Sequence, residues 1–205
     1  MKRERRLIIT ADDFGIGPET TRGILELAHS GVLTATVLLV NSPYAASAVR
    51  RWKREGRPLV LGWHPCLTID RPSADPEHVP SLVDSSGNFM SLGMLARRLM
   101  RGRVRQQEIE TEFLAQLNLF KEMTGFFPSM VNTHHHVQIF PVVGAALRNV
   151  LSGLPFRPYL RRIREPWRTW LNVPGGRLKR WFLCHLGRRA AKAQESAGLP
   201  GNSWL

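Results

Sequence analysis

The chain has 205 residues, 43% hydrophobic and 22% charged, which is enough for one domain with a substantial core. No apolar run is long enough to cross a bilayer, and the basic N-terminus leads into too short an apolar run for a signal peptide, so we expect a cytoplasmic protein. The two cysteines, Cys66 and Cys184, lie far apart and define neither a disulfide framework nor a metal motif.

The net charge of +13 is concentrated in residues 97–105 and, above all, in residues 157–197, where Arg alternates with Trp. Basic residues among aromatic ones can bind nucleic acid or lie on an anionic membrane surface. A solvated basic face on packed helices is the favoured interpretation, because no nucleic-acid-binding module is visible. Peripheral contact with an anionic membrane is the second interpretation of the basic segment, and binding of nucleic acid is the third.

Short apolar strands and amphipathic helices alternate in the first third of the chain. Residues 7–11 predict a first strand that is buried on both faces and ends at two aspartates. A helix follows from Gly17 to Gly31, and two more strands, at residues 34–40 and 59–64, flank a helix at residues 44–55. The order βαβαβ predicts a parallel sheet with right-handed crossovers.

The remaining elements follow a long loop, residues 65–90, whose length is typical of functional or mobile segments. Helices are predicted at residues 91–100, 106–123, 141–151 and 177–197. A fourth, weaker strand at residues 130–133 runs into three consecutive histidines, and a fifth strand is predicted at residues 159–163.

Three groups of polar residues follow three of the predicted strands. Asp12 and Asp13 end the first strand, His64 ends the third, and His134 and His136 lie in the histidine run after the fourth. Parallel strands bring their carboxyl ends to one edge of a sheet, so these groups should converge there. The competing interpretation is a helix-capping aspartate and an inert histidine turn.

One carboxylate with two imidazoles suits a divalent metal ion that keeps open positions for water, and Zn, Mn, Co or Mg would all fit. The second carboxylate could then take a proton from a water molecule and create a nucleophile near neutral pH. This chemistry is suited to metal-assisted hydrolysis of an amide or an ester.

Several motifs together resemble the YdjC-type carbohydrate deacetylases, which include the chitooligosaccharide deacetylases and the hopanoid biosynthesis-associated HpnK type. They are Thr-Ala-Asp-Asp-Phe-Gly at 10–15, Gly-Trp-His at 62–64 with Leu67-Thr68, Ser-Leu-Val-Asp at 81–84 with Gly87 and Phe89, and Thr-His-His-His-Val at 133–137. The resemblance covers about residues 5–150. It implies a distorted TIM-like (β/α) barrel that deacetylates an N-acetylated amino sugar, on an oligosaccharide or glycolipid, with a divalent metal ion.

The resemblance also implies roles for individual residues, with Mg or Zn as the first candidates for the metal. Asp13, His64 and His134 would be the ligands, Asp12 the general base, and His136 a residue that lines the site. Family members often carry Asp and His where this chain has Asn132 and Gln138. Both of these can hydrogen-bond beside the site, but neither carries a proton at neutral pH.

The length of the chain departs from the family. A complete (β/α)₈ barrel takes about 250 residues, and only five strand signals are visible. We therefore expect one barrel domain over residues 1–205 that lacks its C-terminal strands and a late histidine acting as general acid in the family, with impaired activity. Two alternatives stay open: a non-catalytic paralogue that retains the metal or sugar pocket, and a basic membrane- or nucleic-acid-associated protein. A homodimer is also left open.

Overall fold

The computed structural model describes residues 7–163 and 177–202, in which helices cover a parallel sheet of five strands. The strands are β1 (Thr10–Phe14), β2 (Ala35–Leu38), β3 (Val60–Trp63), β4 (Met130–Val131) and β5 (Tyr159–Leu160). They lie side by side in chain order, as in the wall of a barrel. The predicted α/β class with TIM-like strand order is confirmed.

Six α-helices occur in the described ranges. They are α1 (Pro18–His29), α2 (Ala45–Arg54), α3 (Leu92–Met100), α4 (Gln106–Thr124), α5 (Pro141–Ser152) and α6 (Arg177–Ser196). Their bounds agree with the predicted helices to within a few residues. None of these helices is long and apolar enough to span a membrane. Residues 164–170, the centre of the predicted basic Arg/Trp segment, lie outside the described residues.

The first strand begins later than the sequence predicted and extends past the two aspartates. Residues 7–9 were expected to be buried on both faces, but Leu7, Ile8 and Ile9 are exposed by 79%, 47% and 40%. The ladder with β2 begins only where the carbonyl of Ile9 accepts hydrogen bonds from the next strand. The apolar run therefore lies outside the core between the sheet and the helices. The two aspartates lie inside β1 rather than after it.

The two faces of the sheet have different neighbours, because successive strand residues point to opposite sides. On one face, Leu38 and Val131 join the large core formed with the helices. On the other, Ala35, Val37 and Met130 form a smaller buried cluster. Close approach of the strands on this face explains a glycine at position 62, where a Cβ would lie 2.6 Å from the carbonyl oxygen of Met130.

Buried polar side chains on one face of α4 hold the long loop of residues 65–90 in place. Glu108, Glu112 and Gln116 lie one helical turn apart and are almost completely buried. The Glu112 carboxylate accepts hydrogen bonds from the amides of Ser73 and Ala74, both at 2.9 Å. Glu108 accepts one from Ser81 at 2.6 Å, and Gln116 bonds both backbone groups of Cys66. The loop is thus fixed along α4.

Burial raises the pKa of the Glu112 carboxyl above its ordinary value of 4.5, although hydrogen bonds from Ser73, Ala74 and Gln116 oppose the rise. An acid whose pKa is raised by folding favours the folded state below its unfolded pKa. That stabilisation is lost as the pH rises through the folded value. We expect the free energy of unfolding of the wild type to fall relative to Glu112→Gln between about pH 4 and 7. Urea denaturation across this range measures it.

The control for this prediction is Glu122→Gln, which changes an exposed glutamate on the same helix. The difference in the free energy of unfolding between Glu122→Gln and the wild type should not vary with pH. If the free energies of unfolding of Glu112→Gln and the wild type differ by the same amount across this pH range, the expected rise in the pKa of Glu112 on burial is contradicted.

Candidate metal centre

A bulge in β1 brings both aspartates to the carboxyl edge of the sheet. Ala11 pairs with Thr36 and Phe14 with Leu38, so β1 advances three residues while β2 advances two. The extra residue is accommodated at Asp13, whose φ is +62°. In a regular strand, adjacent side chains point to opposite faces, and a bulge redirects one of them. This explains how neighbouring carboxylates can both contribute to one site.

His64 directly follows β3 and is 2% exposed. Its Nδ1 hydrogen-bonds to the backbone carbonyl oxygen of Asn132. Because a carbonyl can only accept, this contact assigns the proton to Nδ1 and leaves the lone pair of a neutral ring on Nε2. That Nε2 lies 3.2 Å from Oδ1 of Asp13. A lone pair and a carboxylate oxygen this close require a cation or a proton between them.

His134 follows β4 at the start of a tight turn, His134–Ile139, and is largely buried. Its Nδ1 lies 2.9 Å from Oδ1 of Asp13 and 3.3 Å from Nε2 of His64. The next two residues, His135 and His136, have φ values of +53° and +55°. Such left-handed backbone costs roughly 1–3 kcal/mol per residue and is concentrated at functional sites.

The three candidate ligand atoms therefore form a small triangle with sides of 2.9, 3.2 and 3.3 Å. Ligands about 2.1 Å from a tetrahedral or octahedral ion are separated by about 3.0–3.4 Å. The predicted residues Asp13, His64 and His134 are thus brought together with spacings that fit a divalent ion. Hydrogen bonds with the two histidines also hold the pKa of the Asp13 carboxyl well below its ordinary value.

Asp12 lies beside this triangle and is held by two donors, one from the residue that follows β4 and one from the residue that follows β5. The side-chain amide of Asn132 donates to Oδ1 at 2.7 Å, and the guanidinium of Arg161 donates to Oδ2 at 3.2 Å. The prediction that Asn132 hydrogen-bonds beside the site is thus supported by a specific contact. Each carboxylate oxygen of Asp12 keeps a further lone pair, and the side chain remains partly exposed.

Arg161 was not among the predicted site residues. It directly follows β5, so the strand-end argument that selected His64 and His134 applies to it equally. In the sequence, this arginine falls in the basic segment of residues 157–197. It is the positive charge nearest to Asp12 among the described contacts.

His136 and Gln138 have different surroundings. His136 is partly buried, and burial, together with the charge of Arg161, lowers the pKa of its imidazole to about 4. Gln138 turns away from the triangle: its Oε1 accepts a hydrogen bond from the Thr133 hydroxyl, and its amide donates to the carbonyl of Arg161. Gln138 therefore ties the histidine turn to β5.

The long loop also reaches the site. The hydroxyl of Thr68 lies 3.0 Å from Nδ1 of His135, and the His135 ring lies against that of His134, with centroids 3.9 Å apart. His135 is exposed, so the loop and this ring form part of the rim above the candidate ligands. His135 was not among the predicted site residues.

The fold and the site together define an α/β protein with an Asp-His-His candidate metal centre at the carboxyl edge of a parallel sheet. The sequence matches the YdjC-like protein family over residues 6–201, and the chain belongs to this family. A carbohydrate deacetylase from Mus musculus is 32% identical over 204 residues. A chitooligosaccharide deacetylase from Escherichia fergusonii is 33% identical over 144 residues, which are 68% of this chain and 53% of that relative.

The chain is shorter than these relatives: the match with the mouse protein covers 97% of this chain and 63% of the relative. A crystal structure of a protein from Enterococcus faecalis V583, described as a candidate cellobiose-phosphate cleavage protein, superposes with a TM-score of 0.67. The two are 22% identical, and the superposition covers 95% of each chain. This likeness concerns the fold.

Proposed function

We propose that the protein is a metal-dependent hydrolase that removes the acetyl group from an N-acetylated amino sugar. The observation that carries the proposal is the triangle of Asp13, His64 and His134 with a second carboxylate, Asp12, beside it. Membership of the YdjC-like family and relatives named as carbohydrate and chitooligosaccharide deacetylases support the substrate class.

The triangle would hold the metal ion through Oδ1 of Asp13, Nε2 of His64 and Nδ1 of His134. When bound, a divalent ion lowers the pKa of a water molecule and polarises a carbonyl oxygen. Two imidazoles with one carboxylate suit Zn²⁺ better than Mg²⁺, which prefers oxygen ligands. We therefore favour Zn²⁺ of the two metals expected from the sequence.

Asp12 would be the general base that takes a proton from the attacking water. The donors from Asn132 and Arg161 hold one hydrogen bond on each of its carboxylate oxygens and so fix the orientation of the side chain. The water oxygen would then bond to the acyl carbon as the C–N bond of the acetamide breaks, and the proton taken up by Asp12 would pass to the leaving amine nitrogen, which gives acetate and the free amine.

The experiment that tests the function is an assay of acetate release from N,N′-diacetylchitobiose. We expect release with the metal-loaded protein and loss of release after treatment with a chelator. Metal binding without acetate release would instead support a non-catalytic paralogue that retains the pocket.

Arg161 is expected to act as a positioning residue for Asp12. Arg161→Ala should lower kcat about tenfold, because a charge-assisted hydrogen bond contributes roughly 1.5–3 kcal/mol, and part of it is replaced by water. Steady-state kinetics and zinc titration measure the outcome. KM and metal affinity should be unchanged, and Arg161→Lys should recover part of the rate.

Arg103→Ala, which removes an exposed arginine at the end of α3, is the matched control. It should leave kcat unchanged. A fall in metal affinity for Arg161→Ala as large as its fall in kcat would show that Arg161 supports the fold of the site rather than the base.

A further inference from the structure

A cavity of about 300 Å³ lies between α1 and α2 and shares no residue with the candidate metal centre. It is lined by Pro18, Thr21, Ser47, Ala48, Arg50, Arg51 and Arg54. Three of these are arginines, and they lie on one helix at spacings that place their side chains along one side. The cavity therefore combines a defined volume with a high density of positive charge.

Most of this positive charge is not compensated within the protein. Arg51 pairs with Glu55 at 2.7 Å, and Glu55 also contacts His29 at 3.0 Å. Arg50 and Arg54 form no ion pair with a carboxylate in the part of the chain that the structure describes. Two guanidinium groups thus remain available to an anion at the mouth of the cavity.

The α1 side of the cavity supplies a hydroxyl group. Thr21 is 4% exposed, and its hydroxyl has no hydrogen-bond partner among the described residues. A buried hydroxyl without a partner is unusual, because burial removes its hydrogen bonds to water and no hydrogen bond within the protein replaces them. The backbone amide of Thr21 already donates to the carbonyl of Gly17 at 3.1 Å, so the hydroxyl is the donor of Thr21 that remains for a ligand. Thr21 is therefore an independent indication that a polar ligand completes this cavity.

We propose that the cavity is a binding site for a phosphate group, carried by a phosphorylated small molecule or free in solution. The two unpaired charges of Arg50 and Arg54 match a phosphate monoester, whose charge is about −1.5 to −2 at neutral pH. The planar guanidinium donates paired hydrogen bonds to phosphate oxygens, and the hydroxyl of Thr21 can donate a further one. A carboxylate carries only one charge and leaves part of the positive charge unmatched.

Isothermal titration calorimetry with inorganic phosphate tests the proposal, with KCl added to keep the ionic strength constant. We expect saturable binding of one phosphate per chain in the millimolar range or below. The double variant Arg50→Ala/Arg54→Ala should weaken binding at least tenfold. The control Arg97→Ala/Arg101→Ala removes the same charge from an exposed surface at α3 and should bind as the wild type does.

Thr21→Val separates binding from a general effect of charge, since it replaces the hydroxyl with a methyl group of similar size. Removal of an unpaired buried hydroxyl should leave the melting temperature unchanged or raise it in the absence of phosphate, while phosphate binds several-fold more weakly.

Comparison with glucose 6-phosphate then distinguishes a phosphorylated sugar, which should bind more tightly, from free phosphate. Absence of saturable binding, or equal weakening in both double variants, would overturn the proposal.

Discussion

Replacing His64 with alanine is expected to lower acetate release by about 10³-fold or more, while the protein remains folded. A bound cation contributes several kcal/mol of transition-state stabilisation, and every 1.36 kcal/mol corresponds to a tenfold change in rate. His64 would supply one of three protein ligands, and its Nδ1 contact to the backbone of Asn132 fixes the ring for that purpose. Acetate release, with circular dichroism as the check of folding, measures the result.

His78→Ala is the matched control, because it removes an exposed histidine at the short turn Pro76–His78. Its activity should equal that of the wild type. A His64→Ala variant that is folded and retains more than a tenth of the wild-type rate would contradict the role of His64 as a ligand.

Asp12→Asn is expected to lower kcat by about 10²–10⁴-fold, the range that general-base catalysis contributes. The amide keeps the size of the carboxylate but cannot accept a proton, so the attacking water loses its base. Metal affinity should change little, because Asp12 contacts Asn132 and Arg161 rather than the triangle. Zinc titration beside the kinetic assay distinguishes these two effects.

The control is Asp75→Asn, at an exposed helix cap where asparagine can still accept the hydrogen bond from Glu77. It should leave both kcat and metal affinity unchanged. Loss of metal binding in Asp12→Asn would mean that the two aspartates share the metal, and the division into base and ligand would then be wrong.

It could be predicted from the sequence that the candidate ligands converge, because their convergence depends on the topology of the sheet. Alternating strands and helices fix a parallel sheet, and a parallel sheet brings Asp13, His64 and His134 to one edge. Their local geometry could not be predicted. The left-handed backbone at Asp13 depends on its pairing with β2, and the exposure of Leu7 to Ile9 depends on where that pairing begins.

Arg161 shows a different limit. Its position after a strand was visible in the sequence, but an arginine in a strongly basic region gives little reason to single it out. Only the structure shows that its guanidinium reaches Asp12 across the sheet. Gln138 shows the converse, since a side chain expected beside the metal instead bonds Thr133 and the backbone carbonyl of Arg161. Neither contact follows from the spacing of the residues in sequence.

The most direct test of the proposed metal centre is reconstitution of metal-free protein. Acetate release from N,N′-diacetylchitobiose is measured while Zn²⁺ is added in substoichiometric steps. We expect negligible activity without metal and a linear rise to a plateau at one equivalent per chain, with no rise in a variant in which Asp13 is replaced by alanine. Full activity in the metal-free protein, or equal reconstitution of the Asp13→Ala variant, would contradict the assignment of Asp13, His64 and His134 as the metal ligands.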